Sequence, residues 1–349
     1  MTNLTPTVHR REFLAATAAT AVGLRWPAKS AAAPEAAANQ DGVAQIAITL
    51  DLEMSRNFPK WEDKHWDYEK GNLNEAAKQY TVEACRRVKA RGGRIHTFVV
   101  GQVLEQENID WLKEIAAEGH AIGNHTYDHI YLLAKSPQEL QFRFQRAPWL
   151  ISGRDLQDTI RENIKLTSMA LKERVGVEAN GFRTPGGFAT GLQGREDLQK
   201  MLQGLGFEWV SSLYPAHEIV DLHGTGQSPA ESTLSSIMAA QRAAQPHKYP
   251  TGLIEIPMNP ISDIGAFRNG RWRLEDFLKV TQAEVEWAIE HRAAFDLLSH
   301  PSCLGVIDPQ FRTIDMICDL VEKSGGAAQI VTLDQMAKQL KADRPAVQP

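Results

Sequence analysis

From residue 44 onward, short apolar runs alternate with longer stretches in which apolar residues recur every three or four positions. The runs predict strands at 44–51, 94–100, 120–124, 180–183, 207–212, 253–258, 295–299 and 328–331. The stretches predict helices at 74–91, 109–118, 155–175, 192–205, 274–292, 309–323 and 333–340. Gly92-Gly93, Gly119, Gly176, Gly206 and Gly325-Gly326 follow helices, where a left-handed cap favours glycine. Such alternation belongs to the α/β class, with parallel strands joined by helical crossovers. It suits a closed barrel or an open doubly wound sheet, and periodicity alone does not choose between them. Two stretches break the rhythm, 53–73 and 214–251, and loops of that length often form lids or binding surfaces.

The first residues follow a different pattern. His9-Arg10-Arg11-Glu12-Phe13-Leu14 precedes an Ala-rich apolar run at 15–24, which reads as a twin-arginine export signal. The run is shorter than the roughly 20 apolar residues that a bilayer span needs, and small residues at 30–33 offer a cleavage site. The expected organisation is a signal at 1–33, a linker at 34–43, a catalytic barrel at 44–340 and a tail at 341–349. The expected partner is the twin-arginine export machinery, the expected location periplasmic or extracellular, and no other segment reads as a stable membrane span. A hydrophobic content of 43% with 23% charged residues is ordinary for a globular chain. The net charge of -5, without a long run of one sign, argues against a nucleic-acid partner. Cys85, Cys303 and Cys318 are too few and too scattered for a disulfide framework.

Four strand ends carry reactive side chains. The first reads Thr49-Leu50-Asp51-Leu52-Glu53, and alternation along a strand puts Thr49, Asp51 and Glu53 on one face. Two carboxylates so close are costly unless a cation or a shared proton offsets them, so they read as a metal ligand beside a base. A solvated loop entrance is the bland alternative. After the third strand, Gly119-His120-Ala121-Ile122-Gly123-Asn124-His125-Thr126-Tyr127-Asp128-His129 sets two histidines four apart. That spacing aligns both imidazoles if a helical turn begins there. Two histidines and one carboxylate, with positions left for water, form the donor set of a catalytic zinc-like site. Phe182-Arg183-Thr184-Pro185-Gly186-Gly187 ends the fourth strand with a cation and a turn whose backbone can approach a ligand. Finally, Phe295-Asp296-Leu297-Leu298-Ser299-His300 places a histidine at another strand end. In β/α barrels function gathers at the carboxyl ends of the strands, so this repetition favours the barrel.

These elements, with His96-Thr97-Phe98-Val99-Val100-Gly101, resemble in their order the polysaccharide deacetylase family (carbohydrate esterase family 4) over residues 44–340. The 119–129 block is the most specific part of the likeness. The resemblance implies a distorted (β/α) barrel with seven or eight parallel strands, a divalent metal expected to be zinc, and hydrolysis of acetyl groups from nitrogen or, less often, oxygen. It implies His125 and His129 as metal ligands, Asp51 as general base, Arg183 as the residue that orients it, and His300 as general acid. Pro185, Gly186, Gly187 and Leu298 are expected at the substrate. Two departures stand out. Leu52 occupies the position of the family's metal-binding aspartate and Glu53 that of a glycine; alternation aims Glu53 correctly, so the ligand role moves to it. The family's aspartate-tryptophan motif is not legible at 209–214, which leaves the partner of His300 open. The expected function is hydrolysis of non-peptide carbon-nitrogen bonds, deacetylating an N-acetylated polysaccharide or cell-wall glycan. Its rivals are a small-molecule amide, ureide or imide hydrolase on the same scaffold, and a non-catalytic glycan-binding protein using Trp61, Trp66, Tyr68 and Trp272 as stacking platforms.

Overall fold

The computed structural model describes residues 42–64, 70–223 and 225–342. The signal at 1–33, residues 34–41 of the linker, Trp66, Tyr68 and residues 343–349 of the tail lie outside them. In chain order the elements are β1 Ala44–Leu52, α1 Glu75–Ala90, β2 His96–Val99, α2 Asp110–Ala117, β3 Ala121–Asn124, α3 Leu156–Val175, β4 Gly181–Phe188, α4 Glu196–Gly204, β5 Trp209–Leu213, α5 Glu231–Ala243, β6 His247–Lys248, β7 Ile254–Glu255, α6 Leu274–Glu290, β8 Ala294–Ser299, α7 Pro301–Ile307, α8 Arg312–Lys323, β9 Ala328–Ile330 and α9 Leu333–Ala342. Shorter helical turns lie between them, among them a π-helical turn, Ile264–Asn269.

The strands form one sheet in the order β6-β7-β5-β4-β3-β2-β1-β8, with β9 on β1. All pairings are parallel except β6 with β7. β9 pairs the start of β1, Ala44 opposite Ala328, while β2 pairs its end, Thr49 opposite His96. The sheet curls until the chain beyond β7 meets β8: Asn259 N donates to Asp296 O at 2.9 Å and its Oδ1 accepts from Leu298 N at 2.9 Å. The result is the deacetylase-like barrel expected from the sequence.

β1 shows why these residues make this fold. Its even-numbered side chains Ile46, Ile48, Leu50 and Leu52 enter the helical layer, where Ala84 and Val88 of α1, Leu112 and Ile115 of α2, and Ile314 and Ile317 of α8 share their core. Burying side chains of this size stabilises by about 1.5–3 kcal/mol each. The opposite face looks into the barrel and changes character along the strand. Ala47 lies in an apolar plug with Phe98, Trp209, Ile254 and Ile256. Thr49 then joins a buried polar layer with Arg183, Ser211 and Asp296. Asp51 and Glu53 reach the rim.

Three departures from the sequence pattern have local causes. Helix α5 lies inside the stretch expected to be irregular; its buried positions are Thr233, Ile237 and Gln241, and Gln241 Nε2 donates to Ala294 O at 3.1 Å, so its inner face is largely polar. Helix α4 starts at Glu196 rather than 192 because Gly191 and Gly194, at φ +56° and +73°, hold the preceding chain in turns. Strand β4 runs on to Phe188 through a register shift between Arg183 and Phe188, so the expected turn at 185–187 is a bulge within the strand.

Candidate metal centre and active site

The rim of the barrel opens into a cleft of about 620 Å³. Asp51 and Glu53 come from β1 and the residue after it, His125 from the residue after β3, and His300 from the residue after β8. His125 N donates to Val99 O at 3.1 Å, and its Nδ1 lies 3.0 Å from Arg183 O. A carbonyl can only accept, so Nδ1 carries the proton and Nε2 presents a lone pair to the cleft. That Nε2 stands 3.7 Å from Glu53 Oε2 and 3.6 Å from Asp51 Oδ2.

The chain reaches His129 by a route the sequence pattern did not suggest. No helical turn begins at His125. Thr126 and His129 adopt left-handed backbone, φ +59° and +54°, which costs non-glycine residues of order 1 kcal/mol or more and persists only where neighbours enforce it. Here Asn124 Oδ1 accepts from Thr126 N at 2.9 Å while its amide donates to Ile164 O at 2.8 Å, and Thr126 Oγ1 accepts from Ile130 N at 3.1 Å. The two imidazole centroids end 4.9 Å apart, with His129 Nε2 at 2.6 Å from Glu53 Oε2. Asp128, in the same block, faces elsewhere and anchors the loop to Gln102, Arg143 and Asn163.

Ligand atoms of Glu53, His125 and His129 thus lie within 4.8 Å of one another. Glu53 Oε2 is buried with no hydrogen-bond partner among the described residues. A buried carboxylate oxygen left unbonded beside two imidazole nitrogens is a donor set that fits a divalent cation, with further positions facing the cleft. The electrostatics agree. Burial works to raise the Glu53 carboxyl, but His129 and Lys70 outweigh it and hold the group well below the usual carboxylate range. Burial lowers His125, and it lowers His129 to about 3, so both rings are neutral as ligation requires.

Beside these ligands sit an anchored carboxylate and an anchored imidazole. Arg183 is fully buried, stacks over Phe98 at 4.3 Å, and donates to Asp51 Oδ1 at 3.2 Å, Thr49 Oγ1 at 2.7 Å, Ser211 Oγ at 3.1 Å and Asp296 Oδ2. Burial pushes Asp296 up to about 6, and Arg183 offsets part of that rise. His300 Nδ1 lies 2.8 Å from Asp263 Oδ1, whose other oxygen accepts from His300 N at 2.7 Å and Leu304 N at 3.1 Å. His300 Nε2 therefore faces the cleft, 3.6 Å from Glu53 Oε1 and 4.0 Å from Asp51 Oδ2. Burial would lower this imidazole, but Asp263, with Glu53 and Asp51, raises it above its ordinary value.

Of the remaining residues expected at the site, Gly186, Gly187 and Leu298 line the cleft, as does Thr184, whereas Pro185 is buried and is not part of its wall. A Cβ on Gly187 would stand 2.1 Å from Tyr214 Cβ. Two residues escaped the sequence reading. Lys70 is buried in the wall and pairs with Glu53 Oε1; it lies in an aperiodic stretch and carries no local signal. Asp263 is the missing partner of His300, and it follows the predicted 253–258 strand by five residues, so the strand-end criterion that found the others could have found it.

The polysaccharide deacetylase family model matches residues 66–207, a span that includes His125, His129 and Arg183. The likeness to polysaccharide deacetylases holds. None of the curated proteins matches the chain by sequence. Among solved structures, a Mycobacterium smegmatis protein named provisionally as a polysaccharide deacetylase superposes with a TM-score of 0.57 at 16% identity, covering 89% of this chain and 96% of its own. A probable polysaccharide deacetylase from Pseudomonas aeruginosa PAO1 gives 0.57 at 15%, covering 86% and 92%. The Puue allantoinase gives 0.55 at 14%, covering 87% and 92%. At these identities the likeness establishes the deacetylase-like fold.

Proposed function

We propose that the chain is an exported, zinc-dependent hydrolase of non-peptide carbon-nitrogen bonds that removes acetyl groups from an N-acetylated glycan. One observation carries the reading: a Glu53-His125-His129 donor set, an Arg183-held Asp51 and an Asp263-held His300 face the same cleft. A divalent cation on those donors would supply polarisation of the acyl carbonyl and acidification of water. Asp51, fixed by Arg183, takes the proton of the attacking water as the new carbon-oxygen bond forms. His300, protonated and held by Asp263, gives its Nε2 proton to the nitrogen as the carbon-nitrogen bond breaks, releasing amine and carboxylate. Gly186 and Gly187 line the same cleft, and a backbone N–H from that bulge would stabilise the oxygen that gathers charge.

Elemental analysis of the purified protein against His125→Ala, together with acetate release from chitooligosaccharides and peptidoglycan fragments, tests the reading. About one equivalent of zinc lost in the variant, with wild-type turnover, supports it; a wild type that holds no divalent metal and releases no acetate overturns it. Export is tested by fractionation of cells expressing the chain and a variant with Arg10 and Arg11 replaced by lysine.

A small-amide hydrolase is the second reading, favoured by the Leu52-Glu53 departure and by an allantoinase that shares the fold. The glycan-binding reading has less support: Trp272 is buried in the core, Trp66 and Tyr68 lie outside the described residues, and of that set only Trp61 is an exposed ring at the cleft.

A further inference from the structure

One wall of the cleft is the π-helical turn Ile264–Asn269, closed by Gly270 N donating to Gly265 O at 2.8 Å. Turns of this kind are frequent at functional sites. Asp263 begins the turn and Arg268 sits near its end, in the cleft. Among the described residues Arg268 makes no ion pair, and its Nε donates to Asn269 Oδ1 at 3.1 Å. The bland explanation is a counterion for the acidic site, but the carboxylates in reach already have partners: Glu53 has Lys70 and Asp263 has His300. Arg268 therefore brings to the cleft a guanidinium without an ion pair among the described residues, and that group suits the two-oxygen geometry of a carboxylate.

We infer that the substrate is an amide bearing a carboxylate, which Arg268 binds on the Ile264–Asn269 wall. The inference rests on the hydrolase reading above and narrows its substrate class. The carboxylate has two chemical sources, an acidic amino sugar within a glycan or a small N-acyl acid. Asp263 ties this wall to the proton donor, since the residue that begins the turn also holds His300. Arg268 is thus a specificity residue rather than a catalytic one.

Two matched pairs of probes separate the possibilities: N-acetylmuramic acid against N-acetylglucosamine, both as disaccharides, and N-acetylglycine against N-acetylglycinamide. Acetate release and calorimetric binding are measured with the zinc-loaded wild type, Arg268→Gln and Arg268→Lys. The expected result is a wild-type preference for the acidic member of one pair by about 10- to 100-fold in kcat/KM. Arg268→Gln should lose it through KM with kcat nearly unchanged, and Arg268→Lys should keep part of it. The pair showing the preference identifies the source. Turnover without preference, or equal losses on both members in Arg268→Gln, overturns the inference and leaves the hydrolase reading standing. Arg268-dependent binding of the acidic members without any turnover supports Arg268 as the carboxylate-binding residue but overturns the hydrolase reading, and with it the assignment of the ligand as a substrate. Neither binding nor turnover of any probe overturns both.

Discussion

Replacing Asp263 with asparagine separates the proton-donor role of His300 from the architecture around it. The carboxylate serves four donors, His300 Nδ1 and Ile264 N at 2.8 Å on one oxygen, and His300 N at 2.7 Å and Leu304 N at 3.1 Å on the other. Asparagine keeps one oxygen able to accept from His300 N and Leu304 N, while Ile264 N loses its acceptor, so the loss of stability should be on the order of 1–3 kcal/mol. Its amide, however, must face His300 Nδ1 as a donor, which makes Nδ1 an acceptor and leaves a neutral ring with its proton on Nε2. Giving up that proton would produce an imidazolate, so the ring ceases to be a useful acid. Turnover of an alkyl amide should therefore fall by roughly 10² to 10⁴, the range attributed to a positioned acid. With 4-nitrophenyl acetate, whose leaving group needs no proton, the loss should stay below about tenfold. The pH profile supplies the sign. In the wild type Asp263 raises His300 above its ordinary value, so the donor form is present at lower pH and is lost as pH rises through that raised value. In the variant this limb should move to lower pH or vanish. An unchanged limb, or equal losses on amide and ester, would refute the assignment of His300 as the acid held by Asp263.

Three further perturbations test other parts of the structure. Lys70→Met removes a cation from Glu53, so zinc affinity measured by calorimetry should rise by about tenfold or more while the metal-free protein melts earlier; unchanged affinity would show that the charge of Lys70 is not felt at the centre. His96 is buried against Phe98 and Trp209, with centroids at 4.6 and 5.3 Å, and burial lowers it to about 4. Its neutral form is favoured in the fold, so this contribution to stability is complete above about pH 6.5 and is lost as pH falls toward about 4, on the order of 3 kcal/mol in all. Denaturant melts of His96→Gln should show a flatter acid dependence than wild type over that window, and parallel curves would count against a buried neutral imidazole. Gly181→Ala would set a Cβ 1.8 Å from the buried Trp209 ring, whose Nε1 is fixed to Asp334 at 2.9 Å, so it should destabilise by about 1–3 kcal/mol or more in the same melts; a wild-type curve would contradict the packing.

The parts of the site that were readable from sequence share a physical feature: they sit where a periodic element ends. On β1 the alternation of side chains alone separates Asp51 and Glu53, which face the cleft, from Leu50 and Leu52, which enter the helical core, and this is why Glu53 rather than Leu52 could be nominated beside the histidines. The spacing of His125 and His129 was readable for a different reason than the one it suggested, because a loop held in left-handed backbone by Asn124 brings the rings together where a helical turn was expected. Lys70 lies in a segment whose conformation is set by tertiary contacts, so no local period marks it, whereas Asp263 follows the predicted 253–258 strand closely enough to be sought beyond its end. Helix α5 hides for a related reason, since two of its three buried positions are the polar Thr233 and Gln241, and Gln241 meets the Ala294 carbonyl of the barrel. Each hidden residue completes a partner that the pattern had left charged or unpaired: Lys70 answers Glu53, Asp263 answers His300, and Gln241 answers Ala294. An unbalanced charge at a strand end is therefore itself a sequence signal, for it requires an opposite group somewhere in the aperiodic chain. By the same reasoning Arg268, a cation in the cleft without an ion pair among the described residues, calls for a partner that comes from the substrate.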